Sequence, residues 1–182
     1  MADTHSHLLE RRVEPGSEPL SLAEAKLFLR VDGSSEDSLI TDMIAAVREA
    51  AEEYLRKSLI TQSWAVTYDD YAPACTPLPK GPVQSVESVK SLTRAGTETT
   101  VDSDIYHLNA ARDRLHFDSI VMGHEVEIVY EAGYGDANDV PGAIRQGMLG
   151  HLAALYDNRI EGIKIPASSI ELYKPHRQVR IA

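Results

Sequence analysis

The sequence has almost no cysteine and no long apolar run, and each absence excludes a class of protein. Cys75 is the only cysteine among 182 residues, so an internal disulfide is excluded and a reducing compartment is expected. No apolar run approaches the ~20 residues that span a bilayer, and the N-terminal stretch lacks the apolar segment of a signal peptide. With 43% hydrophobic and 25% charged residues, the composition is typical of a soluble globular protein.

Positive charge and catalytic motifs are also scarce. The chain has 18 Lys and Arg against 28 Asp and Glu, a formal net charge of -10, which argues against a general nucleic-acid-binding protein. This charge remains compatible with a protein that DNA passes without binding. The sequence contains no GxxxxGK, no GxGxxG after a strand, no HExxH and no CxxC, the common signatures of phosphate, dinucleotide and metal sites. We therefore predict no catalytic residue, no cofactor and no metal site.

A metal-dependent enzyme is one alternative to this interpretation. Its site would combine three histidines of the predicted β region with aspartates near them in sequence. Because acidic turns beside strand histidines are common, solvated loops and strand faces are the favoured interpretation of this group. The residues concerned are His107, His116, His124, Asp102, Asp104, Asp113 and Asp118.

Hydrophobic periodicity predicts three helices, over about residues 21–31, 35–58 and 140–160. Ser21 and Glu24 have the spacing of a capping box, and apolar residues recur with a period near 3.6 between Leu39 and Leu55.

The segment of about residues 64–130 has the alternating pattern of short strands instead. The predicted fold class is therefore α+β, mainly α, with a small helical bundle, an inserted antiparallel β region and an extended C-terminal tail. We predict a flexible N-terminal arm over residues 1–18, a main domain over 19–165 and the tail over 166–182.

The third predicted helix carries a stripe of small residues, Ala143, Gly147, Gly150 and Ala154. Each mid-helix glycine costs ~1 kcal/mol relative to alanine, so the stripe indicates a close approach to another helix. Two interpretations remain open, packing on the long helix of the same subunit and contact between subunits.

The C-terminal tail is basic in an acidic protein. Lys174, Arg177 and Arg180 follow Glu171 with no further acidic residue, and Val179 and Ile181 alternate as on a strand. No partner strand comes later in the chain. This pattern favours addition of the tail as a strand to the sheet or groove of another protein.

Four stretches together resemble the head–tail connector (adaptor, or head-completion) proteins of long-tailed bacteriophages and gene transfer agents. In chain order they are LSLAEAKLFLRVDGSSEDSLITDMIAAVREAAEEYL, LPKGPVQSVESVKSL, VEIVYEAGYGDANDVPGAIRQGMLGHLAALYDNRIE and LYKPHRQVRI. The resemblance covers about residues 19–181 and ends on an L-x-x-P-x-R pattern formed by Leu172, Pro175 and Arg177. Lys174 and His176 flank this proline where the family often has a small residue and an aromatic one.

The resemblance implies a structural, non-catalytic subunit at the head–tail junction (neck) of a virion, assembled in the bacterial cytoplasm. Its partners would be the portal protein, neighbouring copies in a ring, typically twelve, and a downstream neck, stopper or tail protein. The ring would extend the DNA channel, through which DNA passes without specific binding. Residues 19–165 would then form the connector domain, and the tail would dock on the portal. The docking residues would be Leu172, Tyr173, Lys174, Pro175, His176, Arg177, Val179, Arg180 and Ile181. The alternative is a soluble regulatory module whose basic tail binds a host protein or nucleic acid.

Overall fold

The computed structural model of the chain describes residues 7–158 and 164–178, which divide into a helical unit and a β unit. The helical unit comprises Gly16–Ile60 and the described residues from Tyr134 onward. The β unit comprises Thr61–Gly133 and the described residues up to Pro15. Helix accounts for 34% and strand for 33% of the described residues, so the predicted α+β class is confirmed, with a sheet region as large as the helical one.

The helical unit contains four α-helices and a final 3-10 turn within the described residues. Their bounds are α1 Leu22–Leu29, α2 Asp37–Leu55, α3 Gly142–Asp157, α4 Ala167–Tyr173 and the turn Lys174–His176. The first three lie within a few residues of the predicted helices. The fourth occupies a segment that was predicted to be extended.

The first helix begins as the sequence predicts. The hydroxyl of Ser21 accepts a hydrogen bond from the Glu24 amide, and the Glu24 carboxylate accepts one from the Ser21 amide, which completes the capping box. These hydrogen bonds, with Arg145 nearby, lower the pKa of Glu24 below its ordinary value.

The core of the helical unit lies between α2 and α3. Ile40, Ile44, Val47, Ala51 and Leu55 follow one another at helical spacing along α2 and are buried. They pack in one cluster with Ile144, Met148 and Leu152 of α3. Burial of this apolar area is the main term that holds the helices together.

An ionic network is buried beside this core. The Arg48 guanidinium lies 2.9 Å from the Glu18 carboxylate and 3.3 Å from that of Glu52, and both Arg48 and Glu52 are buried. The other Glu52 oxygen accepts the backbone N–H of Leu59 at 2.8 Å. A buried carboxylate needs such partners, because removing one leaves a charge without compensation.

The β unit contains eight strands within the described residues. Their bounds are β1 His7–Val13, β2 Gln62–Ala72, β3 Cys75–Pro77, β4 Val83–Leu92, β5 Glu98–Thr100, β6 Tyr106–Leu108, β7 Arg114–Phe117 and β8 Val121–Ala132. Five form an antiparallel sheet in the order β1-β2-β8-β4-β5, and three form a second antiparallel sheet in the order β3-β7-β6.

The register of the larger sheet places its apolar residues on one face. Trp64 pairs with Tyr130, Val66 with Ile128, and Tyr68 with Val126; all six are buried in one core cluster. Side chains two residues apart along a strand share a face, so the alternation that predicted the strands also builds this core.

The first strand corrects the prediction of a flexible arm over residues 1–18. Residues 7–13 form β1 and pair with β2 along its length. Leu9 packs against the β core, the Arg11 guanidinium lies 5.0 Å from the Trp64 ring centroid, and Arg12 forms an ion pair with Glu127 at 2.5 Å. The β2 and β8 partners of this segment are 50 or more residues away along the chain, so the local sequence does not indicate them. Residues 1–6 lie outside the described residues.

Among the helices that the structure describes, none is long and apolar enough to cross a membrane.

Candidate functional site

The predicted docking tail begins as a helix and not as an extended segment. Leu172 and Tyr173 end α4, Lys174–His176 form the 3-10 turn, and the chain becomes extended at Arg177. Pro166 precedes the helix and Pro175 lies in the turn, positions where the missing N–H is tolerated. The prediction of an extended tail is therefore wrong for residues 167–176. Val179, Arg180 and Ile181 lie outside the described residues.

Tyr173 is a core residue of the helical unit. Its side chain is 0% exposed, its ring lies against Gly147 of α3, and its centroid is 5.9 Å from that of Tyr54 on α2. Burial raises the pKa of the Tyr173 phenol above its ordinary value, so the hydroxyl keeps its proton throughout the physiological range. In this arrangement Tyr173 presents no surface to a partner.

The remaining described tail residues are at the surface to different degrees. Leu172 is 36% exposed, Lys174, Pro175 and Arg177 are exposed, and His176 is half-buried. This segment therefore offers a mixed apolar and basic surface on both sides of the buried Tyr173.

Two of these basic residues have partners within the chain. Lys174 lies 2.5 Å from the Glu171 carboxylate, and this hydrogen bond raises the pKa of Lys174. Arg177 lies over the Tyr54 ring, 5.0 Å from its centroid. One residue later, the Gln178 N–H donates a 3.0 Å hydrogen bond to the carbonyl of Leu55. Arg177 and Gln178 thus contact the C-terminal end of α2.

The stripe of small residues on α3 packs within the same chain. A Cβ at Gly147 would lie 2.5 Å from Cε1 of Tyr173, and a Cβ at Gly150 would lie 3.3 Å from Oγ of Ser169. The helix that approaches these glycines is α4, and not the long helix α2 that we considered from the sequence. Ala143 and Ala154 are half-buried, and a contact between subunits through them stays a prediction.

The direction of the two helices follows from these contacts. Residue numbers rise from Gly147 to Gly150 along α3, while those of the residues that contact them fall from Tyr173 to Ser169. The helices therefore run in opposite directions, with backbone and ring in close contact at Gly147.

The histidines of the β unit do not assemble the metal site considered above. His107 and His116 are opposite each other on β6 and β7, with ring centroids 5.5 Å apart and planes 15° from parallel. His124 lies on β8, in the other sheet. Across the described ranges, no group of three or more His, Cys, Asp or Glu is arranged to hold a metal ion.

Cys75 lies at the edge of the same histidine pair. Its Sγ is 3.8 Å from Nε2 of His116 and 3.6 Å from a guanidinium nitrogen of Arg114. The neighbouring aspartates have structural roles, since Asp102 accepts the Asp104 N–H and Asp113 accepts the Asn109 amide.

Three residues of the site were not among the predicted site residues. Oγ of Ser169 lies against Gly150, His151 is buried on α3, and the Tyr54 ring lies beside that of Tyr173 and below the guanidinium of Arg177. The sequence did contain a signal for α4. Pro166 is a residue that can precede a helix, and Ser169 and Tyr173 have the four-residue spacing that places two side chains on one helix face.

Part of the sequence matches a known protein family. Residues 19–105, from before α1 into the β unit, match the model of the phage gp6-like head-tail connector protein family. The resemblance to head–tail connectors that the sequence motifs predicted is thus confirmed.

Solved structures extend the likeness beyond this segment. A chain in the neck of an empty gene transfer agent (GTA) particle, computed with C6 symmetry, is 24% identical with a TM-score of 0.83, covering 96% of this chain and 97% of that one. A chain in the virion of a native GTA particle is 24% identical with a TM-score of 0.82 and the same coverage. A chain in the neck of a native GTA particle, computed with C12 symmetry, is 22% identical with a TM-score of 0.70, covering 93% of this chain and 97% of that one.

These TM-scores establish a shared fold over nearly the whole chain. No curated protein matches the sequence.

Proposed function

We propose that the protein is a structural adaptor subunit of a virion neck, without catalytic activity. The observation that carries the proposal is the family match of residues 19–105, extended by fold similarity over 96% of the chain to a neck protein of a GTA particle. The first support is a match of sequence and the second a match of fold; the mode of binding is a proposal made from the exposed residues of the C-terminal segment.

In this proposal, copies of the chain form a ring beneath the portal at the head–tail junction. The ring extends the DNA channel and provides a platform for the next neck or tail protein. Similar chains occur in necks computed with C6 and with C12 symmetry, which supports a cyclic assembly, and a dodecamer fits both. With a net charge of -10, an adaptor of this kind would let DNA pass without binding its phosphates.

The C-terminal segment is the part that we propose to dock on the portal. Its exposed basic residues, Lys174 and Arg177, follow directly after the anchor at Tyr173, and Arg180 adds a third charge in sequence. Weak docking by one segment is sufficient, because a ring presents many copies at once and linked binding multiplies the affinity.

The test is co-sedimentation with purified portal rings, and the structure decides where to truncate. Removal of residues 171–182 would delete buried Tyr173 and disturb the helical core, so a loss of binding would have two explanations. A chain that ends after Gln178 keeps every described contact of α4. A matched control keeps the full length and replaces residues 179–182 with Gly-Ser-Gly-Ser.

We expect the full chain to sediment with the portal rings, and both variants to remain in the supernatant while keeping the wild-type melting temperature. Sedimentation of both variants at the wild-type level would contradict the docking role of the terminal residues. Electron microscopy of the pelleted complex then counts the copies in the ring.

A further inference from the structure

The interface between α3 and α4 buries polar atoms that have no hydrogen-bond partner. Among the described residues, none accepts from or donates to either ring nitrogen of His151, Oγ of Ser169 or Oη of Tyr173. All three side chains are at most 1% exposed. Native proteins pair the large majority of such groups, so three in one small interface is a departure that calls for a physical reason.

The spacing of these residues places them on the facing sides of the two helices. His151 is one turn after Gly147 on α3, and Ser169 is one turn before Tyr173 on α4, and residues four apart share a helix face. Gly147 and Gly150 are the points where α4 approaches α3 most closely. The unpartnered atoms therefore belong to the same contact as the glycines.

Burial of these atoms opposes the packing of α4 against α3. In water each hydroxyl or ring nitrogen would regain its hydrogen bonds, so separation of the two helices recovers solvation that the closed arrangement loses. The α4 helix has seven residues, and isolated helices shorter than about 12–15 residues are marginal in water. Its order depends on the same interface that these atoms weaken.

We infer that α4 is a releasable helix, which leaves α3 while the remainder of the helical unit stays folded and so presents Tyr173 and Ser169 to the docking partner. The docking part of this inference rests on the proposed function. The release itself does not, because it concerns the free protein. Tyr173 was predicted as a docking residue and is 0% exposed; release would make this prediction compatible with its burial.

The first experiment measures amide hydrogen exchange in the full-length free protein. We expect the amides of residues 170–174 to exchange through a local opening at least about tenfold faster than those in the middle of α2. Ser169→Ala/Tyr173→Phe removes two unpartnered hydroxyls without changing the packed shape. It should slow α4 exchange by about tenfold or more and leave α2 unchanged.

Two outcomes of this experiment would overturn the release. In one, residues 170–174 exchange only with global unfolding, at the rate of the α2 core. In the other, Ser169→Ala/Tyr173→Phe accelerates their exchange, which would mean that the two hydroxyls have stabilising partners.

The second experiment locks α4 onto α3 with a disulfide. The ideal Cβ of Gly150 lies 3.3 Å from Oγ of Ser169, a proximity compatible with the Cβ–Cβ distance of about 3.5–4.5 Å in disulfides. The variant is Gly150→Cys/Ser169→Cys in a Cys75→Ser background, and the control carries Gly150→Cys and Cys75→Ser alone.

We expect the oxidised lock to abolish co-sedimentation with portal rings, reduction to restore it, and the control to bind in both states. Equal binding by the oxidised and reduced lock would overturn the docking role of release. If the wild-type chain does not bind portal rings while residues 170–174 still open locally, the proposed function and the docking role fail and the release stands.

Discussion

The substitution Gly147→Ala tests the closest contact of the helical unit. Two effects oppose each other at this position. Alanine favours a helix interior over glycine by ~1 kcal/mol, but its Cβ would lie 2.5 Å from Cε1 and 3.1 Å from Cδ1 of Tyr173. Overpacking of a well-packed site costs about 1–3 kcal/mol, and the Tyr173 ring is held between α3 and Tyr54. We therefore expect a net loss of about 0–2 kcal/mol in the free energy of unfolding.

Two other glycines of α3 serve as controls. A Cβ at Gly142 would meet nothing within 4 Å, and a Cβ at Gly150 would meet only the small hydroxyl of Ser169, at 3.3 Å. Gly142→Ala should therefore be at least as stable as the wild type, and Gly150→Ala should lose less stability than Gly147→Ala. Urea unfolding followed by circular dichroism measures all three variants on one scale.

A double variant identifies the group that Gly147→Ala displaces. If the Tyr173 ring is the obstacle, Gly147→Ala should cost less in a Tyr173→Leu background, with a coupling energy of about 0.5–3 kcal/mol between the two positions. A Gly147→Ala variant that gains the full ~1 kcal/mol of helix propensity would refute the contact.

Two further predictions concern buried charge. Arg48→Ala leaves Glu52 buried without its cation and should destabilise the protein by about 3–5 kcal/mol. Arg145→Ala, which breaks a more exposed ion pair with Glu24, should cost less than about 1 kcal/mol; equal losses in urea unfolding would contradict the buried network. Burial lowers the pKa of His151 below its ordinary 6.5, so the unfolded chain binds a proton that the folded chain excludes. Stability should therefore fall as the pH drops from about 7 towards 5. His151→Leu should reduce this dependence of stability on pH. An unchanged pH dependence in this variant would mean that other titratable groups cause it.

Regular amphipathic segments of this fold were predictable from the sequence. The pattern from Leu39 to Leu55 and the Ser21–Glu24 capping box are local signals, and the structure has α1 and α2 where those signals lie. The alternation of Trp64, Val66 and Tyr68 likewise depends only on neighbours along one strand.

The elements that were missed depend on distant partners. The first strand exists because its residues pair with β2, with His7 opposite Tyr68. The fourth helix has seven residues and a serine-rich start, and it forms where the Tyr173 ring meets the bare backbone at Gly147. In both segments tertiary contact decides a conformation that local propensity leaves open.

The candidate site was predictable in its residues but not in its arrangement. Sequence reasoning selected Gly147 and Gly150 as close-packing positions and Tyr173 as a docking residue, but treated the helix and the tail as separate features. The structure places Tyr173 on Gly147, so the packing stripe and the docking segment form one interface. A spacing pattern within one helix does not reveal which later segment covers it.

Because the small-residue stripe of α3 packs against the docking segment, the release of α4 can be tested with a substitution on α3, outside that segment. If only the open form binds the portal, the apparent dissociation constant equals the intrinsic one divided by the open fraction. Gly147→Ala disfavours the closed form and lies on α3, so it should tighten portal binding while it lowers stability. The gain reaches about tenfold for each 1.4 kcal/mol lost from the closed form, as long as the open form remains the minority. Portal affinity measured for wild type, Gly147→Ala and the control Gly142→Ala decides the point. Weaker or unchanged binding by a destabilised Gly147→Ala variant would mean that the portal recognises α4 in its closed position.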